Sequence, residues 1–259
     1  MQDERLTELI KCTLSPIQLF SEEELKLLNG LQSTFIKNVS NLPASVYAKE
    51  MQRLAIDLSW KSSQIEGNTY TLLETERLLL EKETASGKTK DEAIMLLNHK
   101  DALDFIQAHP DYLSPLTIRG IEYIHHLLVK ELDMEIGLRK HRVGISGTNY
   151  KPLENHFQIR EALQDMCDLV NARENTFEKA LLILVLLSYI QAFSDGNKRT
   201  ARIICNAVLL ENGYCPISFR TIDPIEYKKA MLLFYEQNNL SAFKKIVVEQ
   251  FEFAVKNYF

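Results

Sequence analysis

The stretch QAFSDGNKRTAR, residues 191–202, decides how this chain is read. It follows ALLILVLLSYI (180–190), an apolar run too short to span a bilayer and suited to a buried core helix. A new helical pattern begins at Asn197 or Lys198, so Ser194-Asp195-Gly196-Asn197 is a tight turn between two helices. A helix start presents unpaired backbone N–H groups and the positive end of a dipole. Gly196 lets the backbone come close to a ligand. Such a turn is a nest for an anion. Arg199 and Arg202 lie three apart and share one face of the new helix, where both can fork onto phosphate oxygens. Asp195 stands beside them. A carboxylate there suits Mg²⁺, which proteins bind through few carboxylates together with the substrate's phosphates. Singly, Asp195 reads as an N-cap and the arginines as solvated residues. Together they mark an anion site.

Outward from this stretch the chain is mainly α. Only 9 Gly and 7 Pro punctuate it. Periodicity predicts helices at about 43–66, 71–83, 91–108, 116–132, 155–173, 176–192, 198–211, 224–237 and 240–257. In the first, Tyr47, Met51, Leu54, Leu58 and Ile65 recur at steps of four and three, and Gly67 stops it. Residues 137–153, GLRKHRVGISGTNYKPL, break the helical pattern. Val143, Ile145 and the glycines around them predict a small β-hairpin or extended flap. The polar stretch TASGKTKDE (84–92) is the best linker candidate. The expected division is a helical N-terminal region, 1–94, and a core with C-terminal helices, 95–259.

The 259 residues are 46% hydrophobic and 25% charged, ordinary for a soluble globular protein. The formal net charge of -5 argues against a nucleic-acid binder that relies on an overall positive field. Cys12, Cys167, Cys205 and Cys215 are scattered and read as free thiols in a reducing compartment. The N-terminus lacks a signal-peptide core, so a cytoplasmic location is expected.

The central run resembles the signature of Fic-domain proteins, His-x-Phe-x-Asp/Glu-Gly-Asn-Gly/Lys-Arg-x-x-Arg. It matches at Phe193, Asp195, Gly196, Asn197, Lys198, Arg199 and Arg202. LTIRGIEYIHHLL (116–128) resembles the helix that opens the Fic core, and 137–153 resembles its target-docking flap. The resemblance covers most of residues 95–240. It implies a Fic-fold helical bundle that transfers AMP from ATP, with Mg²⁺, to a Ser, Thr or Tyr hydroxyl of a target protein. By the same resemblance Phe193 anchors the loop and Asp195 binds Mg²⁺. Gly196 and Asn197 help form the anion hole, with Lys198 beside them, and Arg199 and Arg202 hold the distal phosphates. Gly144, Ile145, Ser146, Gly147 and Thr148 belong to the flap.

Gln191 stands where the family has its histidine, the general base. An amide has no useful basicity near neutral pH. General-base help is worth about 10²–10⁴ in rate, so the nucleotide site can persist while transfer drops by that order. Three readings stay open: a weakened or inactive relative, a substitute base, or an engineered change. His125, His126, His141 and His156 are the candidate substitutes, with a structural role the better reading for His125.

SSQIEGNTYT (62–71) closes the helix at 43–66. Ser62 and Glu66 share a face, and Glu66 meets the negative end of its own helix dipole, so it calls for a cation from elsewhere. A solvated glutamate is the ordinary reading. Ser-x-x-x-Glu-Gly also resembles the inhibitory motif of Fic proteins, here Ser62, Glu66 and Gly67, in the class with an N-terminal inhibitory helix. That resemblance implies a pairing of Glu66 with Arg202 that obstructs the γ-phosphate. The alternatives are a non-catalytic nucleotide-binding regulator and a phosphotransferase like the Doc toxins, the latter disfavoured by Gly196 and Arg202. A homo-oligomer is compatible with the chain; no membrane or nucleic-acid partner is expected.

Overall fold

The structure is a computed structural model that describes residues 6–259. Among these, a π-helical turn at Leu9–Leu14 precedes ten α-helices. They are α1 (Glu22–Ser40), α2 (Ala44–Ile65), α3 (Leu72–Glu81), α4 (Lys90–Ala108), α5 (Ile118–Val129), α6 (His156–Ala172), α7 (Thr176–Ile190), α8 (Asn197–Glu211), α9 (Pro224–Gln237) and α10 (Ser241–Tyr258). Periodicity anticipates nine of them to within a few residues. It passes over α1, although Ser21 and Glu24 form a capping box there, with Glu24 N–H donating to Ser21 Oγ (3.1 Å) and Ser21 N–H to Glu24 Oε2 (2.7 Å). The same device starts α3 at Thr71 and Glu74, and α4 at Thr89 and Glu92.

The apolar run becomes α7, buried along its whole length except at Lys179. It packs against α6 and α8 and touches α9 and α10. Full burial of each Leu or Ile is worth about 2 kcal/mol, so Leu184→Ala in the middle of this helix should cost about 3 kcal/mol. α2 lies against α3, α4, α8, α9 and α10. That packing brings its C-terminal end to the first turn of α8. The main apolar cluster runs from Leu6 to Tyr258 and draws on both sides of the expected 94/95 division, which falls inside α4.

Residues 137–153 are non-helical, as expected, but the hairpin is not formed: no strand occurs among the described residues. The segment is irregular, with a turn at Ser146-Gly147. Side chains take the backbone groups that strand pairing would use. Glu236 accepts from the Asn149 N–H (2.7 Å) and from Thr148 Oγ1, and Arg139 donates to the carbonyls of His141 (2.8 Å) and Leu153. All four cysteines are free, Cys12 exposed and the others buried. No helix among the described residues is long and apolar enough to cross a membrane.

Candidate active site

α7 ends at Gln191, which turns into the left-handed region (φ 52°, ψ 55°). Such a conformation costs a non-glycine residue about 1 kcal/mol, and the loop that follows compensates through hydrogen bonds. Asn197 is the staple. Its Oδ1 accepts from the Phe193 N–H (2.9 Å), and its Nδ2 donates to Phe193 O (2.9 Å) and to Gln191 Oε1 (3.2 Å). Gln191 Nε2 donates to Ser188 O (2.7 Å), so both ends of that amide are engaged. Phe193 is fully buried and stacks flat on His125, with ring centroids 3.7 Å apart.

His125 supports the loop from below. Its Nε2 lies 3.0 Å from Asp195 O, which requires that nitrogen to carry the hydrogen. Burial, together with the Arg199 charge, pushes its pKa down to about 4, so the ring is neutral at pH 7. Gly196 holds φ 79° at the start of α8, and a Cβ there would meet the His125 ring at 3.4 Å. Glycine is therefore favoured by its backbone angle, while the His125 ring lies at van der Waals contact. α8 also starts without a side-chain cap, unlike α1, α3–α7 and α9. The N–H groups of its first turn have no partner within the helix.

The two arginines differ. Arg202 is fully buried and engaged: Nε donates to Ser62 Oγ (2.8 Å), and Nη2 to Ser62 O (3.1 Å) and Glu66 Oε1 (2.7 Å). Its guanidinium carbon sits 5.1 Å from the centroid of the Tyr227 ring. Glu66 Oε2 also faces Lys198 Nζ at 3.5 Å. Burial would raise the Glu66 pKa, but Arg202, Lys198 and Arg199 outweigh it and hold the carboxyl below its usual range. The Glu66–Arg202 contact expected from the helix-end argument is thus present. Arg199, 1% exposed, donates through Nη2 to Asp195 Oδ2 (3.2 Å), while its Nε and Nη1 are without a protein partner. Asp195 itself is 60% exposed.

Glu66, Asp195 and Lys198 border a cavity of about 400 Å³, which neither Arg199 nor Arg202 lines. Its lining includes Glu66, Gln191, Asp195, Gly196, Asn197 and Lys198, with Gly144, Ile145 and Ser146 of the flap opposite. Gly147 packs toward Leu232, and Thr148 is turned to Glu236. No histidine lines this cavity. His141 pairs with Glu135 (3.2 Å) and His125 is committed to the loop, so none of the four histidines replaces the base position. Asp195 can supply one carboxylate to a metal. Among the described residues no cluster of three or more acidic, His or Cys side chains could hold an ion unaided, which fits Mg²⁺ bound partly by phosphates and not a protein-caged metal.

The sequence reading did not find Arg139, His99 or Tyr235. Arg139 is buried and donates to Gln191 O (2.6 Å) from 52 positions away. His99 is buried in α4 without a partner for either ring nitrogen. Tyr235 lines the cavity and donates to Ser188 O (3.1 Å). No local pattern singles these out, because each is defined by what folds against it.

The family model described as Fic/DOC family matches residues 115–209, from three residues before α5 to two residues short of the end of α8. Over that segment the chain is similar to a Fic domain. It is 29% identical over 164 residues, 61% of its length, to the protein adenylyltransferase Fic of Drosophila willistoni, and 28% identical over 164 residues to that of Drosophila melanogaster. The chain spans about a third of those relatives, 32% and 33% of their lengths. In fold it is similar to Fic-1 from C. elegans, with a TM-score of 0.80 and 20% identity over 99% of this chain and 83% of that one. A Fic-domain signaling protein from Bacteroides thetaiotaomicron gives a TM-score of 0.74 and 20% identity over 90% of this chain and 96% of that one. The matched segment therefore sits in a helical frame that extends on both sides of it.

Proposed function

We propose that this chain transfers AMP from ATP to a hydroxyl side chain of a target protein, held in check by Glu66 and slowed by Gln191. The observation that carries the reading is Arg199: a buried cation with two unpartnered donor nitrogens, beside an uncapped helix start and a cavity. Such donors call for an anion of several oxygens. The name of the relatives, protein adenylyltransferase, favours ATP as that anion.

In this reading the first turn of α8, with Gly196 and Asn197, and Arg199 receive the phosphates. Arg202 would join them once released from Glu66. Asp195 would hold Mg²⁺, which when bound offsets the phosphate charge. The flap from Gly144 to Thr148 would align the target segment. The hydroxyl oxygen would bond to the α-phosphorus as the bond to pyrophosphate breaks, its proton passing to a base and pyrophosphate leaving. At position 191 a glutamine can accept no such proton. A cytoplasmic location accords with the free thiols.

One observation favours a second reading. The Gln191 amide is tied to Ser188 O and Asn197, so position 191 serves the loop's shape. A nucleotide-binding regulator without transfer would need no more.

The test is labelled-AMP incorporation. Glu66→Gly alone should improve productive ATP binding and leave transfer slow. Gln191→His alone should restore a base and leave ATP obstructed. The double variant should incorporate far more label than either, a non-additivity expected of groups that act together. Asp195→Ala is the control for the metal position. A double variant that folds and binds ATP but labels no more than the unmodified chain would replace transfer by the regulator reading.

A further inference from the structure

Arg139 is fully buried, yet it binds neither phosphate position nor cavity. Its guanidinium forks over three main-chain carbonyls: Nε donates to Gln191 O (2.6 Å), Nη1 to His141 O (2.8 Å) and Nη2 to Leu153 O. Its own N–H donates to Ala192 O (3.0 Å). His141 and Leu153 bracket the flap, and Gln191 and Ala192 open the nucleotide loop. One side chain thus ties both ends of the flap to the peptide plane at position 191.

Burying a cation among neutral carbonyls is costly, so a fold that needed only apolar packing here would not use one. The task requires directed donors in one plane. Arginine has five in a rigid fork; lysine has a single ammonium and cannot span the same acceptors. The tip of the flap is moored separately, by Glu236 through Asn149 N–H and Thr148 Oγ1. Base and tip can therefore be loosened independently.

We infer that Arg139 is a positioning residue for group transfer: it sets the height of the flap, and so of an incoming hydroxyl, over residue 191 and the α-phosphate site. This rests on the proposed transfer reading. Transfer depends on reactant distance far more steeply than binding does; a misplacement of about 1 Å can cost about 10²-fold in rate.

The experiment uses the full chain carrying Glu66→Gly and Gln191→His, with labelled ATP and self-labelling as the readout. Adding Arg139→Lys should lower the labelling rate about 10²-fold while the ATP dissociation constant stays within about twofold. Adding Glu236→Gln in its place should lower the rate far less. A parallel loss of ATP affinity and rate, or an unchanged rate, overturns the inference. If the parent binds ATP and does not label, transfer itself is refuted, a different outcome from a labelling parent that ignores Arg139→Lys. Should the lysine variant fail to fold, hydrogen exchange on the unmodified chain decides. The amides of Arg139, the flap and residues 191–193 should open as one unit with one denaturant dependence; separate openings overturn it.

Discussion

Two segments face each other across the cavity, and they are built on opposite plans. The loop at 191–197 is saturated with contacts. Asn197 bonds to Phe193 on both sides, His125 lies flat under Phe193 and bonds to Asp195, and Gly196 holds a left-handed angle against the His125 ring. The flap at 141–153 is held at its base by Arg139 and at its tip by Glu236, with an irregular backbone between. On the proposed transfer reading the difference is a division of labour. A polyphosphate has fixed geometry and rewards a rigid receiver. Protein segments vary, and a partly free backbone can pair with many of them.

The largest break in that contrast should come from Asn197→Ala. It removes three buried hydrogen bonds and strands the Phe193 N–H. A loss of about 4 kcal/mol in urea unfolding is expected, together with loss of ATP binding by calorimetry. Retained ATP affinity would show that the loop does not need its staple.

Glu66→Gln should come next. It keeps the shape and leaves the buried Arg202 charge without its anion, costing about 3 kcal/mol without nucleotide. ATP should bind more tightly, because Arg202 is freed. The folded pKa of Glu66 is depressed, so its contribution exists above the unfolded value of about 4.3 and is lost as pH falls through the folded one. The stability gap between the two chains should therefore close in acid, below about pH 4. A gap that persists there would mean the charge is not what matters.

The pH dependence of the unmodified chain is a smaller effect. The folded pKa of His125 is about 4, below its ordinary value, so the unfolded chain binds the extra proton first. Stability should fall by about 2 kcal/mol from pH 7 to pH 5 on this account. His99, buried and driven the same way, adds to the slope. In His125→Asn the slope should shrink without vanishing; an unchanged slope would remove His125 from the loop's support.

The smallest expected effect is at the flap tip. Thr148→Val removes a hydroxyl that bonds to Glu236 and receives the Tyr150 N–H (3.0 Å). The melting temperature should not move, while amide exchange across 146–150 should quicken. If exchange is unchanged, the tip mooring is not what restrains the flap.

Much of this was legible in the sequence, for identifiable reasons. The nine anticipated helices announce themselves by periodicity, and the turn at 194–197 by Gly196 between two helical patterns. That Glu66 needs a cation could be foreseen because a carboxylate at a helix C-terminus lacks a partner of its own, and the family resemblance implied that the cation is Arg202. The flap was misread as a hairpin because Val143 and Ile145 carry strand propensity, while the side chains of Arg139, at its base, and of Glu236, distant from it in sequence, take its backbone groups. Arg139 itself is indistinguishable in sequence from Lys140 and Arg142. Its burial is decided by Gln191 and Leu153. α1 was passed over although Ser21 and Glu24 mark its start.

The bond from Arg202 to Ser62 and Glu66 has a mechanical side. α2 is a 22-residue helix, about 33 Å long at 1.5 Å per residue. Its last turn grips Arg202, and its first turn around Ser45 and Val46 is exposed. A helix is stiff along its axis, so α2 is shaped to act as a push-rod. A displacement applied at the exposed end would reach Glu66, where a shift of about 1 Å is enough to stretch a charge-assisted hydrogen bond past its useful length.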